Sequence, residues 1–175
     1  MSTVYMRQAK NKDLIHITAI IDDSRHFLKK QGLDQWQSGY PNQNTIVSDL
    51  QQERGYVLIV DNQVAGYVAL LSGEDPVYTN ITSGKWLNQS AEYVAIHRFA
   101  ISNQYRGQKL AQRFMTAILT YFFQMGIVDF RIDTHPENLP MQAVIAGNGF
   151  SRQGNIYIDD NNSRKLRWAY QLVLV

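Results

Sequence analysis

The run from Phe99 to Ala111 constrains this chain more than any other stretch. Phe99, Ala100 and Ile101 read as the end of an apolar strand, and a polar loop containing Gly107 follows. From Leu110 the apolar residues recur at helical spacing through Phe114, Ala117, Ile118, Tyr121 and Met125. The start of a helix leaves backbone N–H groups without intrahelical partners and carries the positive end of the helix dipole. Arg106 and Lys109 add full positive charges beside it. Such a place suits a phosphate or diphosphate. An ordinary strand–loop–helix connection with a solvated basic face would read the same way.

At 175 residues the expectation is a single domain, 1–175, with a proper core. Hydrophobic residues at 45% and charged residues at 18% belong to a globular chain, not a disordered one. A formal charge of +2 is too balanced to argue for nucleic acid. There is no cysteine, which excludes disulfides, thiolate metal sites and a cysteine nucleophile. The first residues lack an apolar signal core and no apolar run approaches membrane-spanning length, so the expected location is cytoplasmic, away from membranes. The Asn-x-Ser/Thr sequons at Asn80, Asn88 and Asn161 then read as accidents rather than glycan sites.

Taken in order, residues 3–9 read as a strand. Asn11 is the cap candidate of a helix striped by Leu14, Ile17, Ile21 and Leu28, stopping at Gly32. Residues 32–41, with Trp36 and Tyr40, break the pattern before a short helix at about 45–53. Residues 56–60 and 64–71 read as a hairpin around Asp61, Asn62 and Gln63. Residues 72–90 form a long irregular connection, expected to face substrate unless it is a floppy surface insert. A strand at 91–101 leads into the opening stretch. Gly126 ends the long helix, 127–133 is a strand, and Asn138 caps a last helix with Pro140 in its first turn. Residues 150–158 and 165–175 close the chain as a hairpin around 159–163, with Leu166, Trp168, Tyr170, Leu172 and Leu174 on one face. The order β-α-α-β-β-β-α-β-α-β-β describes an α/β sheet of mixed direction covered by helices, without repeats or linkers.

Several chemistries fail on their motifs. There is no P-loop, and Gly147-Asn148-Gly149 follows a helix and so cannot be a dinucleotide turn. His16, His26, His97 and His135 share no metal-ligand spacing, and no Gly-x-Ser-x-Gly elbow occurs. What remains is Arg106-Gly107-Gln108-Lys109-Leu110-Ala111, five residues past Ile101, with Asn138 and Gly149-Phe150 downstream. These resemble the Arg/Gln-x-x-Gly-x-Gly/Ala signature and the Asn … Gly-Phe element of the GNAT superfamily of acyl-CoA-dependent N-acyltransferases, and the element order agrees along nearly the whole chain.

The resemblance implies that family's fold, a mostly antiparallel twisted sheet flanked by about four helices. It implies acetyl-CoA as co-substrate, with no metal, and Arg106, Gly107, Gln108, Lys109, Leu110 and Ala111 as the cradle of its pyrophosphate. Backbone groups of Phe99 and Ile101 would hold the acetyl and pantetheine arm beside a splayed strand, and Asn138 would contact the pantetheine side. A homodimer is common in such proteins. Two positions depart from the pattern. Lys109 stands where the middle glycine is expected, and it can comply if the position is helical and its side chain points outward. Ile145 stands where many members carry a thiolate-protonating tyrosine.

The chemistry implied needs a neutral amine, a polarised thioester and a proton for the sulfur. Histidine suits the base. His97, on the strand entering the site and on the same alternating face as Phe99 and Ile101, is the first candidate, and His135 the second. A strand histidine bonded to a neighbour is the plainer reading of His97. Tyr157 and Tyr93 are candidate acids, although coenzyme A thiolate leaves tolerably without one. Arg98 should point to the opposite face as a structural residue. Trp36, Tyr40, Tyr78 and Trp86 either line an acceptor pocket or pack. The expected activity is acetyl transfer to a primary amine of a small molecule or peptide, by direct attack in a ternary complex. Its rivals are a non-catalytic acyl-CoA-binding module and, disfavoured by charge, a nucleic-acid-binding domain.

Overall fold

The computed structural model describes residues 2–160 and 163–175. Asn161 and Asn162, within the turn expected around 159–163 and in the third sequon, lie outside the described residues. Seven strands and four α-helices follow the expected order: β1 (Val4–Gln8), α1 (Leu14–Lys30), α2 (Gln43–Gln51), β2 (Gly55–Val60), β3 (Gln63–Ser72), β4 (Val94–Ile101), α3 (Leu110–Gln124), β5 (Asp129–Thr134), α4 (Leu139–Gly147), β6 (Ser151–Asp160) and β7 (Ser163–Val173). The strands form one mostly antiparallel sheet in the order β1-β2-β3-β4-β5-β7-β6. The described residues fall into two compact units.

The first unit comprises the chain up to Leu70 together with Arg98–Ile118. Its core joins Ile17, Ile20 and Ile21 of α1, Ile46 of α2, Val57 and Ile59 of β2, Tyr67 and Ala69 of β3, and Ala100 of β4. Asn11 is not the cap of α1. It lies in a 3-10 turn (Asn11–Asp13), and Asp13 closes that turn by accepting from the Lys10 N–H at 2.8 Å. Asp13 also takes two bonds from the Arg7 guanidinium, at 2.7 and 2.8 Å, so a carboxylate was needed there by two partners at once. Asn42 caps α2, accepting from the Thr45 N–H at 3.0 Å, which starts that helix earlier than its apolar pattern suggests. The β2–β3 turn places Asp61 and Asn62 at φ 45° and 69°, the left-handed pair that a two-residue hairpin requires.

The second unit comprises Leu71–His97 and Leu119–Val175. Here β4 pairs with β5 in parallel over Val94↔Phe130, Ala95↔Arg131 and Ile96↔Ile132, and β5 and β6 each pair antiparallel with β7. Residues 72–90 are no floppy insert. Tyr78 and Trp86 are 1% and 7% exposed and pack with Tyr93, Ala95, Ile156 and Ala169, and Thr82 bridges to Asn155. Gly84 permits that bridge: a Cβ there would come within 1.9 Å of the Gln153 carbonyl oxygen, at φ +156°.

One apolar stripe read from sequence needs correction, and one strand is buried on both faces. In α3 the buried residues are Leu110, Phe114, Met115, Ile118 and Phe122, while Tyr121 and, just past the helix, Met125 are exposed. In β7 Tyr170, on the face read as apolar, is buried, and so are the alternating Arg167, Ala169 and Gln171 although two of these are polar; Gln171 donates to both oxygens of buried Asp129 at 2.9 Å. Satisfied polar groups can line an interior, and hydropathy alone does not see the partner.

Candidate active site

The loop after β4 is built by local bonds. The Ser102 N–H donates to the Ala65 carbonyl at 2.8 Å, the Ser102 hydroxyl accepts from the Gln104 N–H at 3.4 Å, and a 3-10 turn (Asn103–Tyr105) follows. Gly107 and Lys109 both lie in the left-handed region, at φ 76° and 56°. The Lys109 carbonyl accepts from the Arg113 N–H at 3.3 Å, which opens α3. Left-handed residues in a turn ahead of a helix turn successive N–H groups toward one concavity, a form that binds anions. A Cβ at Gly107 would meet nothing within 4 Å, so this glycine faces open space. Gln108 and Lys109 are exposed, and Leu110 is buried. The Arg106 guanidinium stacks on Phe27 of α1 at 3.4 Å from the ring centroid, and burial lowers its pKa against the pull of Asp23. The expectation that position 109 is helical is thus corrected. Lys109 occupies a conformation that favours glycine, and its side chain carries that strain.

Within the first unit Phe99 packs against Phe114 with tilted rings, centroids 5.3 Å apart, and the Ile101 side chain lies over Gly66, where a Cβ would come within 2.8 Å of it. Arg98 interrupts the strand at φ 55°. The two-residue alternation assumed to run from His97 to Phe99 and Ile101 therefore does not hold through this residue. Arg98 donates through Nε and Nη2 to Asp49 of α2 at 2.8 and 2.6 Å, and through Nη1 to the Tyr40 hydroxyl.

In the second unit His97 Nε2 lies 2.6 Å from Asp75 Oδ2, with the imidazole stacked on Tyr78 at 5.6 Å. The side chains are 19% and 6% exposed, so the histidine keeps a solvent-facing edge while the carboxylate is buried. Asp75 is itself held. Its N–H donates to the Tyr93 hydroxyl at 2.7 Å, and its Oδ1 accepts from the Val77 N–H at 2.9 Å. Tyr78 donates to Asp133 Oδ1 at 2.9 Å. Burial pushes the Tyr78 phenol well above its ordinary value and Asp133 adds to this, so the phenol stays a donor. Burial likewise raises the Asp133 pKa, opposed by the positive field of His97 and the Tyr78 bond.

The other candidates are placed elsewhere. Tyr157, on β6, is 40% exposed beneath the Arg164 guanidinium at 4.7 Å, on the face opposite buried Ile156. Because Ile156 is the residue that packs with Tyr78 and Tyr93, Tyr157 points away from that cluster and does not join His97. Tyr93 spends its hydroxyl on the Asp75 backbone and its ring on Arg131, 3.8 Å away. The Nδ1 of His135 accepts from the Glu137 N–H at 3.1 Å. Asn138 caps α4, accepting from the Met141 N–H at 3.2 Å, and Ile145 is fully buried. Tyr78 and Trp86 are core residues, whereas Tyr40 is 46% exposed. The residue that sequence reasoning missed is Asp75. Its place before Pro76 marks a turn cap, but nothing local announces a partner at His97, across the irregular segment.

Comparisons with known proteins agree with this architecture. Residues 15–150 match the model of the GNAT acetyltransferase family. A GNAT-family acetyltransferase from Streptococcus agalactiae is 36% identical with a TM-score of 0.89, covering 98% of this chain and 96% of that one. One from Listeria monocytogenes is 18% identical with a TM-score of 0.74, covering 98% and 95%. An acetyl transferase from Salmonella typhimurium that modifies the N-terminal serine of ribosomal protein L7/L12 is 16% identical, with a TM-score of 0.72 and coverage of 99% and 96%. No curated protein sequence matched. Among the described residues no group of His, Asp and Glu is placed to hold a metal ion, and no helix is long and apolar enough to cross a membrane. With the family model spanning most of the chain and a 36% identical relative along nearly all of it, the protein belongs to the GNAT acetyltransferase family.

Proposed function

We propose that this protein transfers the acetyl group of acetyl-CoA to a primary amine of a small molecule or peptide, by direct attack in a ternary complex. The observation that carries the reading is the 2.6 Å contact of His97 Nε2 with Asp75. A carboxylate that only accepts fixes the proton on Nε2 and leaves the lone pair on Nδ1, and it stabilises the imidazolium formed when that lone pair takes a proton. His97 is thereby a base for the attacking amine, acting directly or through water. Acetyl-CoA supplies a thioester whose sulfur leaves tolerably without a dedicated acid, which suits a chain with Ile145 buried and Tyr157 turned away.

The donor side fits the residues present. Open space at left-handed Gly107, the exposed Gln108 and Lys109, and the start of α3 at Leu110 make a cradle for a diphosphate, with Arg106 and Ala111 at its two ends. Backbone groups of Phe99 and Ile101 would meet the acetyl and pantetheine arm, with a strand N–H polarising the thioester carbonyl. Asn138, the cap of α4, is the residue that the family resemblance assigns to the pantetheine. The rival reading, an acyl-CoA-binding module without turnover, is favoured by the absence of a tyrosine at Ile145.

Release of free thiol from acetyl-CoA, measured against a panel of primary amines, separates the two. The expected result is turnover on at least one amine, falling by about 100-fold or more in His97→Ala. Acetyl-CoA binding without turnover on any amine would identify the module instead. Gly107→Glu should abolish acetyl-CoA binding, and retained affinity would refute the cradle.

A further inference from the structure

Seven non-glycine residues have left-handed backbone among the described residues, and Arg98 is the one inside a β-strand. For a residue with a side chain this conformation is disfavoured by about 5- to 30-fold in population. Something must hold it, and the first unit contains the device. Asp49, on α2, receives both Nε and Nη2 of Arg98, at 2.8 and 2.6 Å. The Tyr67 hydroxyl donates to Asp49 Oδ2 at 2.7 Å, and Nη1 of Arg98 reaches the Tyr40 hydroxyl. The pair is nearly dry, with side chains 13% and 6% exposed.

A buried ion pair is a poor way to gain stability, since apolar replacements of similar volume often do as well. Its distinctive property is geometric. A planar guanidinium bonded twice to a carboxylate has one orientation, and a side chain anchored at that end restrains the backbone from which it projects. Burial pulls the Arg98 pKa down, but Tyr40 and Asp49 pull it further up, so the guanidinium stays charged. Burial first and Asp49 second push the Tyr67 phenol far up, so it remains a neutral donor.

We infer that Asp49 and Tyr67 are positioning residues: through Arg98 they hold the left-handed break in β4, and so aim the Phe99 N–H and the strand edge beyond it. The inference rests on the N-acetyltransferase reading, in which that strand edge meets the acetyl thioester. Neither residue touches a reacting atom, and both act through Arg98.

The test uses Tyr67→Phe, Asp49→Asn and the double variant Asp49→Asn/Arg98→Gly. Tyr67→Phe leaves the ion pair in place and guards against a variant that fails to fold. The double variant removes the unpaired guanidinium and puts at 98 a residue that takes left-handed φ without help. Hydrogen–deuterium exchange is followed across residues 98–101 in the free protein, alongside kcat and KM for acetyl-CoA and for the amine. The expected result is exchange faster by about 5- to 30-fold in Asp49→Asn, and by less in Tyr67→Phe. In both, kcat should fall more than either KM rises, and the double variant should recover exchange and kcat toward wild type. Unchanged exchange in the single variants, or a double variant no better than Asp49→Asn, overturns the positioning role. Faster exchange with wild-type kcat overturns its link to the reaction. A wild-type protein that acetylates no amine would sink the activity reading, and the exchange data would then decide the lock alone.

Discussion

Lys109 illustrates how much one backbone angle changes the meaning of a residue. In sequence it is an extra cation in a basic loop; at φ 56° it is also a side chain in a glycine's conformation. Lys109→Gly should stabilise the protein by up to about 1 kcal/mol, the relief of left-handed strain less the greater freedom of glycine in the unfolded chain. The same change removes a charge from the proposed cradle, so under that proposal acetyl-CoA affinity should fall and depend less on salt; denaturant titration and calorimetry check the two effects. The His97–Asp75 pair gives a second prediction at this scale. Asp75→Asn keeps the shape but replaces an acceptor-only group, so kcat should drop by about 100-fold or more while acetyl-CoA binding is unchanged. His97 was legible as a candidate because imidazole suits the work of a base. Asp75 was not, because its role depends on a contact across the irregular segment between residues 72 and 90.

At the scale of elements, helices and hairpins announced themselves through apolar spacing and turn chemistry, and their ends moved where caps took over. Asn42 starts α2 early, and Asp13 displaces Asn11 at the first helix. Irregular residues 72–90 were the hardest to read. Their order comes from Tyr78 and Trp86 seated in the core and from a backbone bridge to Asn155 passing beside Gly84. Gly84→Ala should therefore cost about 2 kcal/mol or more in chemical denaturation, because a methyl group 1.9 Å from the Gln153 carbonyl must push the two segments apart. A cost below half of that would mean that the bridge is not held as described.

For the molecule as a whole, two carboxylates set opposing pH dependences. The Arg7 bond lowers the Asp13 pKa against burial, so this pair contributes stability above the unfolded carboxylate pKa and loses it as pH falls through the depressed folded value. Burial raises the Asp133 pKa, which penalises the folded state at neutral pH and ceases to do so below the unfolded value. Thermal melts from pH 3 to 7 should show Asp13→Asn less stable at neutral pH and flatter on acidification, and Asp133→Asn more stable at neutral pH. The sequence by itself determined the order of elements and the family resemblance, because periodicity, turn residues and a contiguous motif are local properties. Only the tertiary structure decided that Asp75 backs His97, that Tyr157 faces away from it, and that Asp49 and Tyr67 grip a left-handed Arg98. Those are pairings between distant segments, and a hydrogen bond depends on where two groups meet in space rather than on how far apart they stand in the chain.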